Sequence, residues 1–490
     1  MARRTKIIAT IGPASESETV LRGMVRAGMD VARLGLAHGS IEDAIERLKL
    51  IRSIAKEEDR TVGVLVDLPG PKIRLASFGD SPVLLSEDSE IKVQIGNSSS
   101  DSQVIQVDYE NLFDDVELGD RLIVGDGRGV IRVEEKHDTH LDARVIHGGV
   151  MSGRPGLYIP ASRLSISAPT EWDLQALERF LEMDVDMVAL SFVRAASDLA
   201  KLSLDPHPDG PLVVAKIETR DAVEDLTEII EASGAVMVAR GDLGNEWPIQ
   251  ELPILQKEII RKCIALGRPA ITATQMLESM IIAPDPTRAE VSDVANAVWD
   301  GTSALMLSGE TAVGADPVNA LETMSRVAER ADDVFDHRSW GEELSEMRLT
   351  DTDDPNTSVT DAMTQATYRA VTELGVETIL CISGTGFTVR SMARFRPTAR
   401  IIGLTSNVRT VGQLSLSWGT ESIHLQEGGD VESRITAALH MVRDRAGLKA
   451  GELVAVLAGT NANARATNVL RVEQVPVSYT HLTLPTKRIV

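Results

Sequence analysis

The sequence predicts an α/β protein: a (β/α)8 TIM barrel with a small β domain inserted into it and a further α/β domain behind it. Eight near-continuous apolar runs alternate with helical patterns, which is how parallel strands covered on both faces read. That rhythm gives way after the third run to short alternating stretches with Gly and Asp turns. The polar residues with chemistry to offer fall at the C-terminal ends of the apolar runs, the edge at which such barrels carry their sites.

The eight runs cover residues 6–12, 30–35, 62–68, 187–193, 212–218, 235–242, 269–275 and 304–310, which assigns the barrel to 1–74 and 161–340. Residues 75–160 alternate instead, as in Ile91-Lys92-Val93-Gln94-Ile95 and Arg121-Leu122-Ile123-Val124, with a turn at Gly125-Asp126-Gly127. They read as a β domain hinged at both ends. An acidic linker, Asp351-Thr352-Asp353-Asp354-Pro355-Asn356, precedes strand patterns at 378–382, 400–404, 422–425 and 453–457, predicting an α/β domain over 355–475. Residues 476–490 have no periodicity and no relation to the preceding strand; they resemble translated adapter sequence and are set aside.

A chain of 490 residues exceeds one hydrophobic core. Its 43% hydrophobic content and lack of long apolar runs predict a soluble protein without a membrane partner. The start runs directly into a strand pattern, so no signal peptide is expected, and two cysteines, Cys263 and Cys381, make no disulfide framework; the cytoplasm is the expectation. The net charge of −23, with twelve Lys against 38 Arg, argues against a nucleic-acid partner. The same balance fits a salt-adapted protein, or a GC-rich genome that favours Arg codons.

Ala215-Lys216-Ile217-Glu218 and Ala239-Arg240-Gly241-Asp242-Leu243-Gly244 each end an apolar run with an acid. Glu218 and Asp242 are hard ligands suited to one Mg2+ or Mn2+, or alternatively cap the helices that follow. Lys216, in an apolar strand, is costly unless it is used: as a fixed charge beside a phosphoryl group, or in a salt bridge to Glu218. Gly241 leaves backbone N–H groups open to an anion at a helix start. Thr274 ends a strand and either meets substrate or caps a helix; Arg33 and Arg74, at the tips of strands two and three, suit phosphate oxygens or surface ion pairs. A dication, a lysine and two carboxylates together suit phosphoryl transfer.

These residues, with Thr10-Ile11-Gly12-Pro13-Ala14-Ser15, the run from Ala273 to Met280, Pro286-Thr287-Arg288-Ala289-Glu290, Ser292 to Ala297 and Met306-Leu307-Ser308-Gly309-Glu310-Thr311, resemble pyruvate kinase in the family's order up to Val475. The resemblance implies transfer of the phosphoryl group of phosphoenolpyruvate to ADP, giving pyruvate and ATP in the last step of glycolysis, under a small β-barrel lid and in a homotetramer. It implies Lys216, Arg33, Thr274 and Arg74 as catalytic residues, and Gly241, Asp242, Thr274, Ser191 and Lys216 on the substrate. By the same resemblance Glu218 and Asp242 would hold the metal, and Pro13, Arg33, His38, Asp126 and Arg154 would serve the nucleotide. The resemblance also implies Thr274 near the methylene carbon that gains a proton, and its weak acidity points to a water relay.

Several positions depart from the family pattern. Gly35, Ala37 and Leu68 stand where typical members carry potassium-ligating Asn, Ser and Thr, and Lys72 replaces an acid. This resembles the potassium-independent subgroup, with the Lys72 ammonium substituting for the ion, so no potassium requirement is expected; an incidental surface lysine is the other reading. Pro155 replaces a lid lysine, with Arg154 adjacent as its stand-in. The loop Ser383-Gly384-Thr385-Gly386-Phe387-Thr388 resembles the family's effector site by position, its phosphate-binding residues being Ser383, Gly384, Thr385, Gly386 and Thr388, though such glycine turns are common. Two rivals stand beside this reading: another metal-dependent barrel enzyme on ketoacids, which needs neither lid nor final domain, and a paralogue that binds without efficient turnover.

Overall fold

The computed structural model describes residues 3–37, 39–125, 127–160, 163–346, 355–426, 429–460 and 467–476. His38, Asp126 and the tail beyond residue 476 therefore lie outside the described residues. The chain divides into two compact units, Met1–Phe335 with Ser415–Trp418, and Asp336–Leu414 with Gly419–Val490.

In the first unit eight parallel strands close a barrel: Lys6–Thr10, Val31–Gly35, Gly63–Leu68, Met187–Leu190, Leu212–Ile217, Ala235–Ala239, Ala270–Ala273 and Ala304–Leu307. Each neighbour in this order pairs with the next, and the last pairs back to the first through Lys6↔Ala304. Alternate residues point inward. Ile8, Val31, Leu65, Met187, Ala189, Leu212, Val214, Ala235 and Met237 fill the interior. Period two then carries Thr10, Arg33, Asp67, Ser191 and Lys216 into the next inward layer, at the C-terminal mouth. The surrounding helices start where a side chain takes their free N–H groups, as in the capping boxes Ser40–Asp43, Thr170–Asp173 and Thr287–Glu290.

The third strand stops at Leu68 because Pro69, Gly70 and Pro71 cannot extend it; Gly70 turns the chain at φ +63°. The chain then enters an insert with a two-stranded sheet, Val83–Leu85 with Gly149–Met151, and a six-stranded one. The latter runs, in spatial order, Leu157–Tyr158, Arg121–Val124, Gly129–Lys136, Leu141–His147, Glu90–Ile95 and Val104–Val107. Its two edges are both tied to the entering segment: Arg74 bridges Gly156 and Leu75 bridges Val107. Alternating residues such as Val93, Ile105, Leu122, Ile131 and Val145 make a core of its own.

The second unit is a five-stranded sheet in the order Thr420–His424, Arg400–Thr405, Thr378–Ile382, Leu453–Ala458 and Val469–Gln474. The last strand alone runs antiparallel. No helix among the described residues is long and apolar enough to cross a membrane.

Candidate active site

The inward layer at the barrel mouth forms one connected polar cluster, and Asp67 is its hub. Its Oδ2 accepts from Arg33 Nε at 2.7 Å and pairs with Arg33 Nη2 at 2.6 Å. Its Oδ1 accepts from Ser191 Oγ at 3.3 Å and faces Lys216 Nζ at 3.5 Å. Lys216 in turn donates to Ser191 Oγ at 2.6 Å and pairs with Glu218 Oε1 at 2.8 Å. Arg33 Nη1 reaches Thr10 Oγ1 at 3.0 Å.

Burial penalises every charge here, and the partners decide which charges persist. Desolvation works against the Asp67 carboxylate, but Lys216 and Arg33 outweigh it and hold its pKa below the ordinary value. Desolvation also opposes the Lys216 ammonium, yet Asp67 and Glu218 keep its pKa raised. Glu218 goes the other way: burial, reinforced by the nearby Asp242 charge, raises its pKa despite Lys216. Glu218 Oε2 accepts from the Phe192 N–H at 2.7 Å. Its Oε1, buried as well, is engaged by the Lys216 ammonium at 2.8 Å. A buried carboxylate that feels the charge of a second one, Asp242, fits a divalent cation.

Asp242 lies not on the strand but in the first turn of the helix Arg240–Glu246. Gly241 does not leave its N–H open, as its position suggests; that N–H donates to Thr274 Oγ1 at 2.7 Å. The Thr274 hydroxyl itself donates to the Ala273 carbonyl at 2.6 Å, so both functions of this side chain are engaged. Thr274 and Gln275 hold left-handed backbone, φ +69° and +53°. Arg240, which the sequence reading passed over, braces them: Nη2 donates to Thr274 O at 2.7 Å and Gln275 O at 3.3 Å, Nε to Ala273 O at 3.3 Å. Asp293 holds its far side, 2.8 Å from Nη1.

Arg74 is not at a strand tip. The proline-flanked turn places it past the strand, where its guanidinium donates to Ala37 O at 2.9 Å and Arg154 O at 3.3 Å. Arg154 faces Asp108 of the insert at 3.1 Å. Lys72 is exposed and lines an open cleft between the insert and the barrel mouth, with Tyr158, Phe192, Asp242 and Asn245 also on its walls. Pro13 is exposed. In the second unit, Thr385 Oγ1 accepts from the Phe387 N–H at 3.3 Å, and the buried Thr388 hydroxyl meets Thr467 at 2.6 Å. Gly384 O accepts from Thr410 Oγ1 at 2.9 Å, Ser383 N–H bonds Leu404 O at 3.0 Å, and Gly386 turns at φ +73°.

A model of the pyruvate kinase barrel domain matches residues 2–321, and a model of the pyruvate kinase alpha/beta domain matches residues 361–473. A pyruvate kinase of Geobacillus stearothermophilus is 37% identical over 481 residues, covering 97% of this chain and 81% of the relative. Pyruvate kinase 2 of Synechocystis sp. is 38% identical over 491 residues, covering 97% and 80%. A Staphylococcus aureus pyruvate kinase is 34% identical over 478 residues, covering 96% and 80%. With two domain models matched in sequence order and relatives alike over nearly its whole length, the chain belongs to the pyruvate kinase family.

Proposed function

We propose that the cluster around Lys216 carries the phosphoryl transfer of this enzyme, a phosphotransferase that moves the phosphoryl group of phosphoenolpyruvate to ADP and forms pyruvate and ATP. The observation that carries the assignment is the buried Lys216 ammonium, kept charged by Asp67 and Glu218 at the barrel mouth. A charge fixed in a dry site steadies the phosphoryl oxygens as the bond from phosphorus to the enol oxygen breaks. Arg33, oriented by Asp67, adds a second positive group; Arg74 ties the insert to the loop after strand two.

Glu218 and Asp242 would hold Mg2+ or Mn2+, which neutralises and fixes phosphate and carboxylate oxygens when bound. The burial of Glu218 beside the Asp242 charge supports that assignment. The Thr274 hydroxyl, committed to Ala273 O, suits positioning a water for protonation of the methylene carbon better than donating the proton itself. Gly241 contributes by holding Thr274, and Ser191 by holding Lys216.

On the finer points, Lys72 in the cleft beside Asp242 supports a reaction without potassium, since Gly35, Ala37 and Leu68 bring no side-chain oxygen ligands. We place Pro13 on the nucleotide side, with the insert, residues 75–160, closing over the cleft as a lid. Arg154, engaged by Asp108, serves the nucleotide only if that pair opens. A homotetramer, a cytoplasmic location, salt adaptation and an effector at Ser383–Thr388 complete the reading; the engaged hydroxyls of Thr385 and Thr388 favour backbone groups over these two side chains for effector contacts.

The test is a lactate-dehydrogenase-coupled assay with phosphoenolpyruvate, ADP and Mg2+, run with and without potassium. Pyruvate formation at the same rate in both arms is expected. Strong activation by potassium overturns the Lys72 assignment, and no pyruvate in either arm overturns the phosphotransfer reading.

A further inference from the structure

Away from the barrel mouth, the hairpin joining the strands Gly129–Lys136 and Leu141–His147 carries two histidines and a carboxylate whose ligand atoms converge. His137 Nε2 lies 2.9 Å from Asp142 Oδ2, and His140 Nε2 lies 3.5 Å from Asp142 Oδ1. Glu135, paired across the ladder with Asp142, brings Oε1 to 3.9 Å from His137 Nε2. The turn itself builds this arrangement. It is closed by the His137 N–H donating to His140 O at 2.9 Å, and the two imidazoles stack with centroids 4.5 Å apart and planes at 21°.

Three features of the cluster favour a metal over a purely structural role. Two nitrogens and a carboxylate within 4.8 Å of one another need only small rotations to reach bond lengths of about 2.0–2.2 Å. The stacking brings both imidazoles to opposite oxygens of one carboxylate, Asp142, so that a single ion can be shared by all three side chains. Thr139 Oγ1 sits 3.2 Å from His140 Nδ1 and accepts its proton in the tautomer that leaves the Nε2 lone pair free.

We propose that His137, His140 and Asp142, with Glu135 in reach as a fourth ligand, bind one borderline divalent transition-metal ion of the Zn2+ class on the inserted domain. Mixed imidazole and carboxylate ligation selects this class over Mg2+, which demands an oxygen octahedron. The site is independent of the Glu218–Asp242 pair and of turnover.

Calorimetric titration of the full chain with ZnCl2, in excess Mg2+ to cover the barrel carboxylates, tests the proposal. One saturable zinc per chain is expected. Affinity should fall at least about tenfold in His140→Gln and in Asp142→Asn, and about tenfold in Thr139→Val, which removes the acceptor facing His140 Nδ1. Zinc-free phosphotransfer should stay at the wild-type rate in all three, and their melting curves report whether each is folded. Equal zinc uptake by the wild type and a folded ligand variant, or no zinc site in the wild type, overturns the proposal.

Discussion

Thr274 and Gln275 occupy backbone that side chains rarely adopt, at a cost of about 1–3 kcal/mol each. For a β-branched threonine this is a true outlier. What maintains it is Arg240, whose planar fork collects three successive carbonyls while Asp293 anchors its other edge. Lysine at this position would keep the charge facing Asp293 and lose the fork. Arg240→Lys is therefore expected to lower kcat by about 10²-fold through misplacement of Thr274, with the KM for ADP little changed. Unchanged kcat in steady-state assays would show that the strained pair holds itself. Neither Arg240 nor Asp67 stood out in the sequence. Asp67 carries the same signal as Glu218, an acid ending a buried apolar strand, and that signal was available. Arg240 carried none, because its partners are carbonyls that only the folded loop brings together.

At the scale of elements, the barrel strands were legible because both faces are buried and the apolar runs are uninterrupted. Their ends were less so: the run read as 235–242 stops as a strand at Ala239, and Arg240 to Glu246 turns helical. Apolar content alone does not mark where parallel pairing ceases. Period two explains why Lys216 and Ser191 meet, but the meeting of Gly241 with Thr274 depends on loop conformation, which no spacing in the sequence carries. Gly70 shows how tightly the insert's entry is packed against the site. A Cβ there would lie 2.9 Å from the Ser191 carbonyl and would require φ +63°. Gly70→Ala is expected to destabilise the fold by about 1–3 kcal/mol and to shift Ser191 away from Lys216. A denaturation midpoint and kcat both equal to wild type would contradict this.

For the whole molecule, acid stability should depend on buried pairs more than on the net charge of −23. Asp30 closes the base of the barrel, 2.8 Å from Arg3 Nη1 and 3.4 Å from Lys6 Nζ, and accepts from the Ile7 N–H at 2.8 Å. Burial alone would raise its pKa; the two cations and that N–H outweigh burial and hold it below the ordinary 3.8. Its contribution is thus complete above that value and is lost as pH falls through the depressed one. Asp30→Asn is expected to cost about 3–5 kcal/mol at neutral pH and to flatten the acid limb of the stability curve. An unchanged slope of stability between pH 4 and lower values, followed by urea unfolding, would contradict the assignment. The most direct test of the central claim, that the buried Lys216 ammonium steadies the migrating phosphoryl group, is the turnover of Lys216→Met in the coupled assay, with circular dichroism confirming the fold. A drop in kcat of at least about 10³-fold in a folded variant is the expected result; a folded variant that keeps most of the wild-type rate would contradict it.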